Sequence, residues 1–390
     1  MRNGTDRTFL GGLLGDVVAR LAALGKGRRS GALGTIGHDL RTPIGSVLGW
    51  SELLLETPLT AEQRGYAEDV HRAGERMLAI VNDVVELARL EAGEASRVRE
   101  RFAPATIVEE ATERAATAAH TKGLEIAHHV DRAMPASVAG DARRLGRVLG
   151  ILLDNAVRVT EEGEIVVRAR VGAVRRRTTE LVFEIADTGR GIPTAEQHDV
   201  FAPASGLGLA LARALVVRMG GRIGVRSEVG SGSTFWFTVR VHGAAGAPVA
   251  TPLAGRPRVL VVDDRLSSRA IVEDHLRTLG ARSNGAADPR TALARLATGI
   301  EQGDPYAAVV IDVDMPGTDG HALVRAIGTD ARLASLPIVL LVPPGDRARG
   351  SDGAVATVPK PVRPALLRDA VALALSAGSS GRRSLRAAGS

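Results

Sequence analysis

Asp187-Thr188-Gly189-Arg190-Gly191-Ile192-Pro193 and, twelve residues on, Ser205-Gly206-Leu207-Gly208-Leu209-Ala210 decide how this 390-residue chain is read. The first segment follows an apolar strand and the second opens a helix. Glycine lets a backbone come close to a ligand, and a helix start offers free N–H groups to phosphate oxygens. A carboxylate such as Asp187 can accept a hydrogen bond from the amino group of a purine. A single Gly-x-Gly is most often only a turn.

Working outward, the pattern gains members on both sides. Leu152-Leu153-Asp154-Asn155-Ala156 lies upstream on a helix. Met219-Gly220-Gly221 and Gly230-Ser231-Gly232-Ser233-Thr234-Phe235 lie downstream. In this order the segments resemble the N, G1 and G2 boxes of the histidine-kinase and gyrase type of ATP-binding fold. That resemblance implies an α/β sandwich over residues 100–242, with ATP and Mg²⁺ as cofactors. It implies nucleotide contacts from Asn155, Asp187, Gly189, Gly191, Gly206 and Gly208, with Asn155 facing the metal. Three departures accompany it. Ile151 stands where the family has a second asparagine, and Val159 follows Arg158 where an aromatic residue is common. Only Ala202, Pro203, Ala204 and Ser205 separate Phe201 from Gly206, where the family has a long mobile lid. Weak ATP binding and slow catalysis are therefore expected.

Upstream again, Leu33 to Leu55 reads as a helix with Pro43 inside as a kink, and Thr60 to Ala92 as a second helix. Tyr66, Val70, Ala73, Met77, Val81, Val84 and Leu87 recur at steps of three and four, the seam of a hairpin or bundle. Two helices bury little, so pairing with a second copy into a dimeric four-helix bundle is expected. The first helix carries Gly37-His38-Asp39-Leu40-Arg41-Thr42-Pro43. A neutral imidazole is a nucleophile near pH 7, Asp39 can orient it, and Thr42 one turn on can position a water. By itself this is also what an exposed helical histidine looks like. With the Glu86-Leu87-Ala88-Arg89-Leu90-Glu91-Ala92-Gly93 ending, the stretch resembles the phospho-acceptor domain of histidine kinases. There His38 would be phosphorylated, and Asp39 and Thr42 would match the phosphatase motif.

Downstream, Gly243 to Pro257 is a Gly, Ala and Pro linker. After it short apolar strands (Val259–Val262, Ala307–Ile311, Ile338–Val342, Val355–Val358) alternate with helices, which predicts a doubly wound, five-stranded parallel sheet. Asp263 and Asp264, Asp312, and Lys360 follow three of those strands, on the edge where such sheets bind ligands. Carboxylates suit Mg²⁺ and a lysine suits phosphoryl oxygens. The chain has only three lysines, so one in this place carries weight. The set resembles a response-regulator receiver domain. Asp312 would be the phospho-acceptor, Asp263, Asp264 and Asp312 would hold Mg²⁺, and Lys360 would touch the phosphoryl group. The family's switch hydroxyl and aromatic are replaced by Val342 and Thr357.

The expected order is thus a helical lead-in (1–30), a dimerisation and phosphotransfer hairpin (31–95), the ATP-binding domain (100–242), the linker (243–257), the receiver (258–376) and a basic tail (377–390). The whole resembles a hybrid sensor histidine kinase that phosphorylates His38 and passes the group to Asp312. Its downstream partner would be a histidine phosphotransfer or response-regulator protein. The alternative is a degenerate kinase serving as a phosphotransfer or scaffold protein. A gyrase-like ATPase without a histidine acceptor is disfavoured by the His38 helix and the receiver.

Composition narrows the field. There is no cysteine, which excludes disulfides, thiolate catalysis and Cys-based zinc sites. The net charge of +6 comes from the ends, +4 in residues 1–30 and +3 in residues 377–390, so a nucleic-acid-binding face is not expected. No apolar run approaches the roughly eighteen residues of a membrane span. A cytoplasmic location without a transmembrane segment is expected.

Overall fold

The computed structural model describes residues 26–92, 99–245, 252–315, 318–345 and 353–387, and for some of these, residues 26–38 and 378–387 chiefly, the backbone alone. Most of the helical lead-in, the middle of the linker and the side chain of His38 lie outside the described residues.

Helices α1 (Lys26–Leu55) and α2 (Ala61–Ala92) form the hairpin. The first begins earlier than its apolar pattern suggests and runs on through Pro43. The second opens on a capping box. Gln63 N–H donates to Thr60 Oγ1 at 3.3 Å, and Thr60 N–H donates to Gln63 Oε1 at 3.0 Å. Ile44, Ser51 and Ala67 are buried between the helices. Gly74 lets the helices come close, because a Cβ there would stand 2.9 Å from Leu48 Cδ2 and push that side chain aside. The expected seam behaves differently along its length. Leu87 is buried, while Tyr66 and Met77 are 63% and 48% exposed, and Trp50 on α1 is 69% exposed. One hairpin leaves that apolar stripe in water, since Ala67 and Gly74 rather than the seam close the pair.

The second unit runs β1 (Glu100–Phe102), α3 (Pro104–Thr121), β2 (Glu125–Val130), β3 (Ser137–Gly140), α4 (Ala142–Val159), β4 (Glu164–Val174), β5 (Thr178–Asp187), α5 (Thr194–Gln197), α6 (Leu207–Arg218), β6 (Ile223–Glu228) and β7 (Gly232–Ala245). Its sheet has the order β1-β3-β7-β5-β4-β2, with β6 on β7. The strands alternate, and their inner residues Ile165, Phe183 and Phe237 meet Leu145, Leu149, Leu152 and Leu211 from α4 and α6. Phe183 and Phe237 stack with centroids 4.9 Å apart. This is an α/β sandwich with one core. Leu87 and Leu90 of α2 enter that core, Arg218 donates to the Leu90 carbonyl, and Arg147 pairs with Asp83. These contacts seat α4 and α6 on the hairpin.

The third unit is β8 (Arg258–Val262), α7 (Leu266–Thr278), β9 (Arg282–Ala286), α8 (Pro289–Glu301), β10 (Ala308–Asp312), β11 (Asp314–Met315), β12 (Thr318–Asp319), α9 (Gly320–Thr329), β13 (Ile338–Val342), β14 (Ala356–Pro359) and α10 (Pro364–Ala387). Five parallel strands lie in the order β14-β13-β10-β8-β9. Continuous apolar strands suit a sheet covered on both faces. Leu260, Val262, Val309 and Ile311 pack on one side, and Val259, Val261 and Val310 on the other. The end of the expected linker belongs to this unit: Leu253 is buried, and its N–H donates to the Leu279 carbonyl at 2.7 Å. The expected basic tail continues α10 to Ala387. No helix among the described residues is long and apolar enough to cross a membrane.

Candidate functional site

Two pockets and one helix carry the candidate residues. In the nucleotide pocket, Asp187 ends β5. Its Oδ1 accepts from Gly189 N–H at 2.9 Å and from Ser233 N–H at 3.3 Å. Its Oδ2 is buried with no partner. Burial pushes this carboxyl up from the usual range, and the two N–H groups pull it back. A buried acceptor with one free oxygen suits a ligand N–H donor. Gly191 has φ +71°, and a Cβ there would stand 2.0 Å from the Glu228 carbonyl oxygen, so no other residue fits.

Asn155 sits half-buried on α4, where its Oδ1 accepts from Arg158 at 2.6 Å. One turn earlier Ile151 is 8% exposed and belongs to the core. Its Cγ2 lies under Gly208, 3.5 Å from where a Cβ would be. Lys122 holds the far end of α4, donating to the carbonyls of Val157 at 2.8 Å and Thr160 at 3.2 Å, as a cation at a helix C-terminus should. The lid is a single 3₁₀ turn, Pro203–Ser205, tied by Ser205 Oγ donating to the Asp199 carbonyl at 2.8 Å. Gly206, with φ +149°, then turns the chain into α6.

In the receiver pocket, strands β8 and β10 deliver Asp263, Asp264 and Asp312 to one edge. Each offers an oxygen within 4.8 Å of the others. Asp263 Oδ1 accepts from Arg265 N–H at 2.8 Å, while Asp263 Oδ2 and Asp264 Oδ1 are buried without partners among the described residues. Burial pushes the Asp263 carboxyl up to about 7, and Asp312 and Glu125 add to the effect. Crowded carboxylates with free oxygens fit a divalent cation of the Mg²⁺ type. Lys360 Nζ donates to Asp312 Oδ2 at 2.6 Å, and the Asp312 side chain is 2% exposed. Burial alone would lower the ammonium's pKa, but Glu125, Asp312 and Asp263 hold it above the usual lysine range. Val342 is buried at the end of β13, where its carbonyl accepts from Lys360 N–H at 2.8 Å, and Thr357 is exposed.

On α1, Asp39 and Thr42 are exposed. Arg41 Nε donates to Asn82 Oδ1 on α2 at 2.8 Å. The described residues do not bring this motif to either pocket. The second carboxylate bonded to Lys360 was missed by sequence. Glu125, in the motif-free stretch Glu125-Ile126-Ala127-His128-His129-Val130, belongs to β2 of the sandwich yet lies 3.1 Å from Lys360 Nζ. The sequence holds no signal for it.

Three family models match the chain. Residues 28–93 match the His Kinase A (phospho-acceptor) domain. Residues 140–243 match the histidine kinase-, DNA gyrase B- and HSP90-like ATPase, and residues 259–372 the response regulator receiver domain. The chain is similar to the sensor protein TorS of Escherichia coli, 30% identical over 316 residues that cover 77% of this chain and 33% of TorS. It is similar to the sensor histidine kinase GacS of Pseudomonas protegens, 32% identical over 67% of this chain and 30% of GacS. It thus spans about a third of the length of these relatives. Among solved structures, full-length ShkA in complex with AMPPNP matches with a TM-score of 0.69 and 31% identity, covering 87% of this chain and 72% of ShkA.

Proposed function

We propose, for a chain that belongs to the hybrid sensor histidine kinases, an ATP-driven relay from His38 to Asp312. The observation that carries this reading is the Asp312–Lys360 pair at 2.6 Å beside two further carboxylates. It is the arrangement an acyl-phosphate site needs: a nucleophile, a cation platform and a fixed positive charge.

Asp187 accepts the adenine amino group through its free oxygen. Asn155 and the Gly206–Gly208 turn face the phosphates, in line with the AMPPNP held by ShkA. The γ-phosphoryl group passes to a ring nitrogen of His38, a P–N bond forming as the bond to ADP breaks. Asp39 steadies the ring. In the second step the P–N bond breaks, a P–O bond forms at Asp312, and the imidazole takes up a proton. Asp263, Asp264 and Asp312 would hold Mg²⁺, which would supply charge neutralisation for phosphoryl oxygens, and Lys360 contacts one of those oxygens. Positioning and charge carry most of such a reaction. Thr42 places a water for the separate hydrolytic reaction, in which the P–O bond to Asp312 breaks, inorganic phosphate leaves and the carboxylate is restored. The exposed stripe of Trp50, Tyr66 and Met77 is the face for a second copy, giving a four-helix bundle. The phosphoryl group then moves to a histidine phosphotransfer or response-regulator protein.

The nucleotide site of this relay is slow and weak, because Ile151 gives no oxygen and the lid is one short turn. Labelling the full chain with γ-³²P-ATP and Mg²⁺ tests the relay. An acid-labile, base-stable phosphoramidate is expected, together with an acyl phosphate labile to both. Undiminished labelling in His38→Ala, or an acyl phosphate that survives in Asp312→Ala, would overturn it.

A further inference from the structure

The receiver docks on the sandwich through the two loops that build its own pocket. After Asp263 and Asp264, Arg265 donates to the Gly163 carbonyl at 3.0 Å, Ser267 to Glu164, and Ser268 to Glu125 Oε1 at 3.3 Å. After Lys360, Arg363 pairs with Glu113 on α3. From the same α7, Asp274 Oδ2 meets His129 Nε2 at 3.1 Å. Within this surface Glu125 does more than pack. Its Oε2 lies 3.1 Å from Lys360 Nζ while Asp312 Oδ2 lies 2.6 Å from the same nitrogen. A small cleft lined by Glu125, Asp263 and Lys360 joins the two domains.

We infer that Glu125 is a carboxylate ligand supplied by the ATP-binding domain to the receiver's phosphoryl pocket, so that domain docking and phosphoryl occupancy at Asp312 exclude each other. The inference rests on Asp312 being the phosphoryl acceptor. Lys360 is the one lysine of the pocket, and it already neutralises two carboxylates. A phosphoryl group on Asp312 needs that ammonium and brings further negative charge beside Glu125, at a place with little water to screen it. In the docked arrangement the Asp312 side chain is 2% exposed, closed to any donor. The receiver must therefore come off before it accepts, and once charged it stays off. By linkage, whatever pulls the receiver away favours phosphorylation by the same factor.

The chain has no cysteine, so two introduced ones label it uniquely. Arg176→Cys and Gln302→Cys lie on exposed sites of the two domains. Spin labels there, on full chain diluted into an excess of unlabelled chain so that a dimer holds one labelled copy, report their separation by pulsed dipolar spectroscopy. With Mg²⁺ alone one narrow distance is expected. Adding beryllofluoride, a phosphoryl mimic, should lengthen and broaden it. Glu125→Ala should broaden it without the mimic and tighten beryllofluoride binding about tenfold, within the usual range of coupling between two sites. Glu125→Gln, which keeps the shape, should act in the same direction. If calorimetry shows the mimic bound while the distance stays narrow, exclusion is overturned and Asp312 remains the acceptor. If the mimic binds neither the wild type nor the Glu125 variants, the acceptor reading fails and the inference falls with it.

Discussion

The nucleotide pocket and the receiver pocket both end a buried strand with an aspartate, and the two are held in opposite ways. Asp187 is fixed by two backbone N–H groups and keeps one oxygen free. Asp312 is fixed by an ammonium and stands among other carboxylates. The first arrangement asks for a neutral donor and the second for more positive charge. Dipoles hold a carboxylate in place without neutralising it, whereas a charge partner also decides what else can enter. Each pocket also has an apolar side chain where its family has a hydrogen-bonding one, Ile151 in the first and Val342 in the second. Both are buried, so neither presents a polar atom to its pocket.

The sharpest break of this comparison is Asp187→Asn. It replaces the charged acceptor and puts an NH₂ group within reach of the Gly189 and Ser233 donors. Loss of one hydrogen bond to a charged group is worth ~1.5–3 kcal/mol. Calorimetry should accordingly show ATP binding weakened about ten- to hundredfold, with beryllofluoride binding at the receiver unchanged. An equal loss at both pockets would mean that the variant disturbs the whole chain.

Ile151→Asn restores the missing oxygen, and a few-fold tightening of Mg²⁺-ATP is expected. The amide would have to leave the core position under Gly208, so a lower melting temperature should accompany it. Unchanged affinity would place the defect in the short lid instead. Val342→Thr is the matching change in the receiver. It should enlarge the amide shifts that beryllofluoride induces around residues 353–359, where a weak response is expected of the wild type, because a differential contact is what moves an equilibrium. Large wild-type shifts would refute weak coupling.

The smallest effect expected is one of pH. His128 on β2 is buried and faces His275, Arg363 and His129, and burial lowers it to about 3. His275 on α7 is buried beside His129 and Asp274, and burial lowers it to about 4. Among the described residues neither ring has a hydrogen-bond partner. Both rings are neutral when folded and bind protons when unfolded, so stability is lost as pH falls below 6.5 and continues to fall toward the depressed values. The melting temperature should drop from pH 7 to pH 5, and His128→Leu should flatten the slope. An unchanged slope in that variant would clear His128 of the effect.

Much of the fold was legible because its signals are local. The Val-Leu-rich strands at 258–262, 308–312 and 338–342 declare themselves by composition, and α2 by its period. The strands that escaped are short or poor in apolar residues: Glu100–Phe102, Glu125–Val130, Ser137–Gly140, Arg282–Ala286, Asp314–Met315 and Thr318–Asp319. The pairing of all but the last two is decided by neighbours far away in the chain. The pocket residues were legible wherever a turn or strand end dictates their type, as at Gly191 and Asp312. Glu125 was not, because its role depends on a lysine 235 positions away. The exposed Tyr66–Met77 stripe shows the same limit, for periodicity reveals an apolar face but not which partner covers it.

Strand β2, which carries Glu125 and His128, is the outermost strand of the sandwich sheet. An open sheet edge is a template for other chains, and proteins generally shield it. Here α7 and the loops around it lie against that edge, so the receiver also works as a rim guard. A relay that frees the receiver uncovers a row of backbone donors and acceptors each time it fires. Isolated kinase fragments ending near residue 245 would carry that rim permanently bare and should self-associate more readily than the full chain.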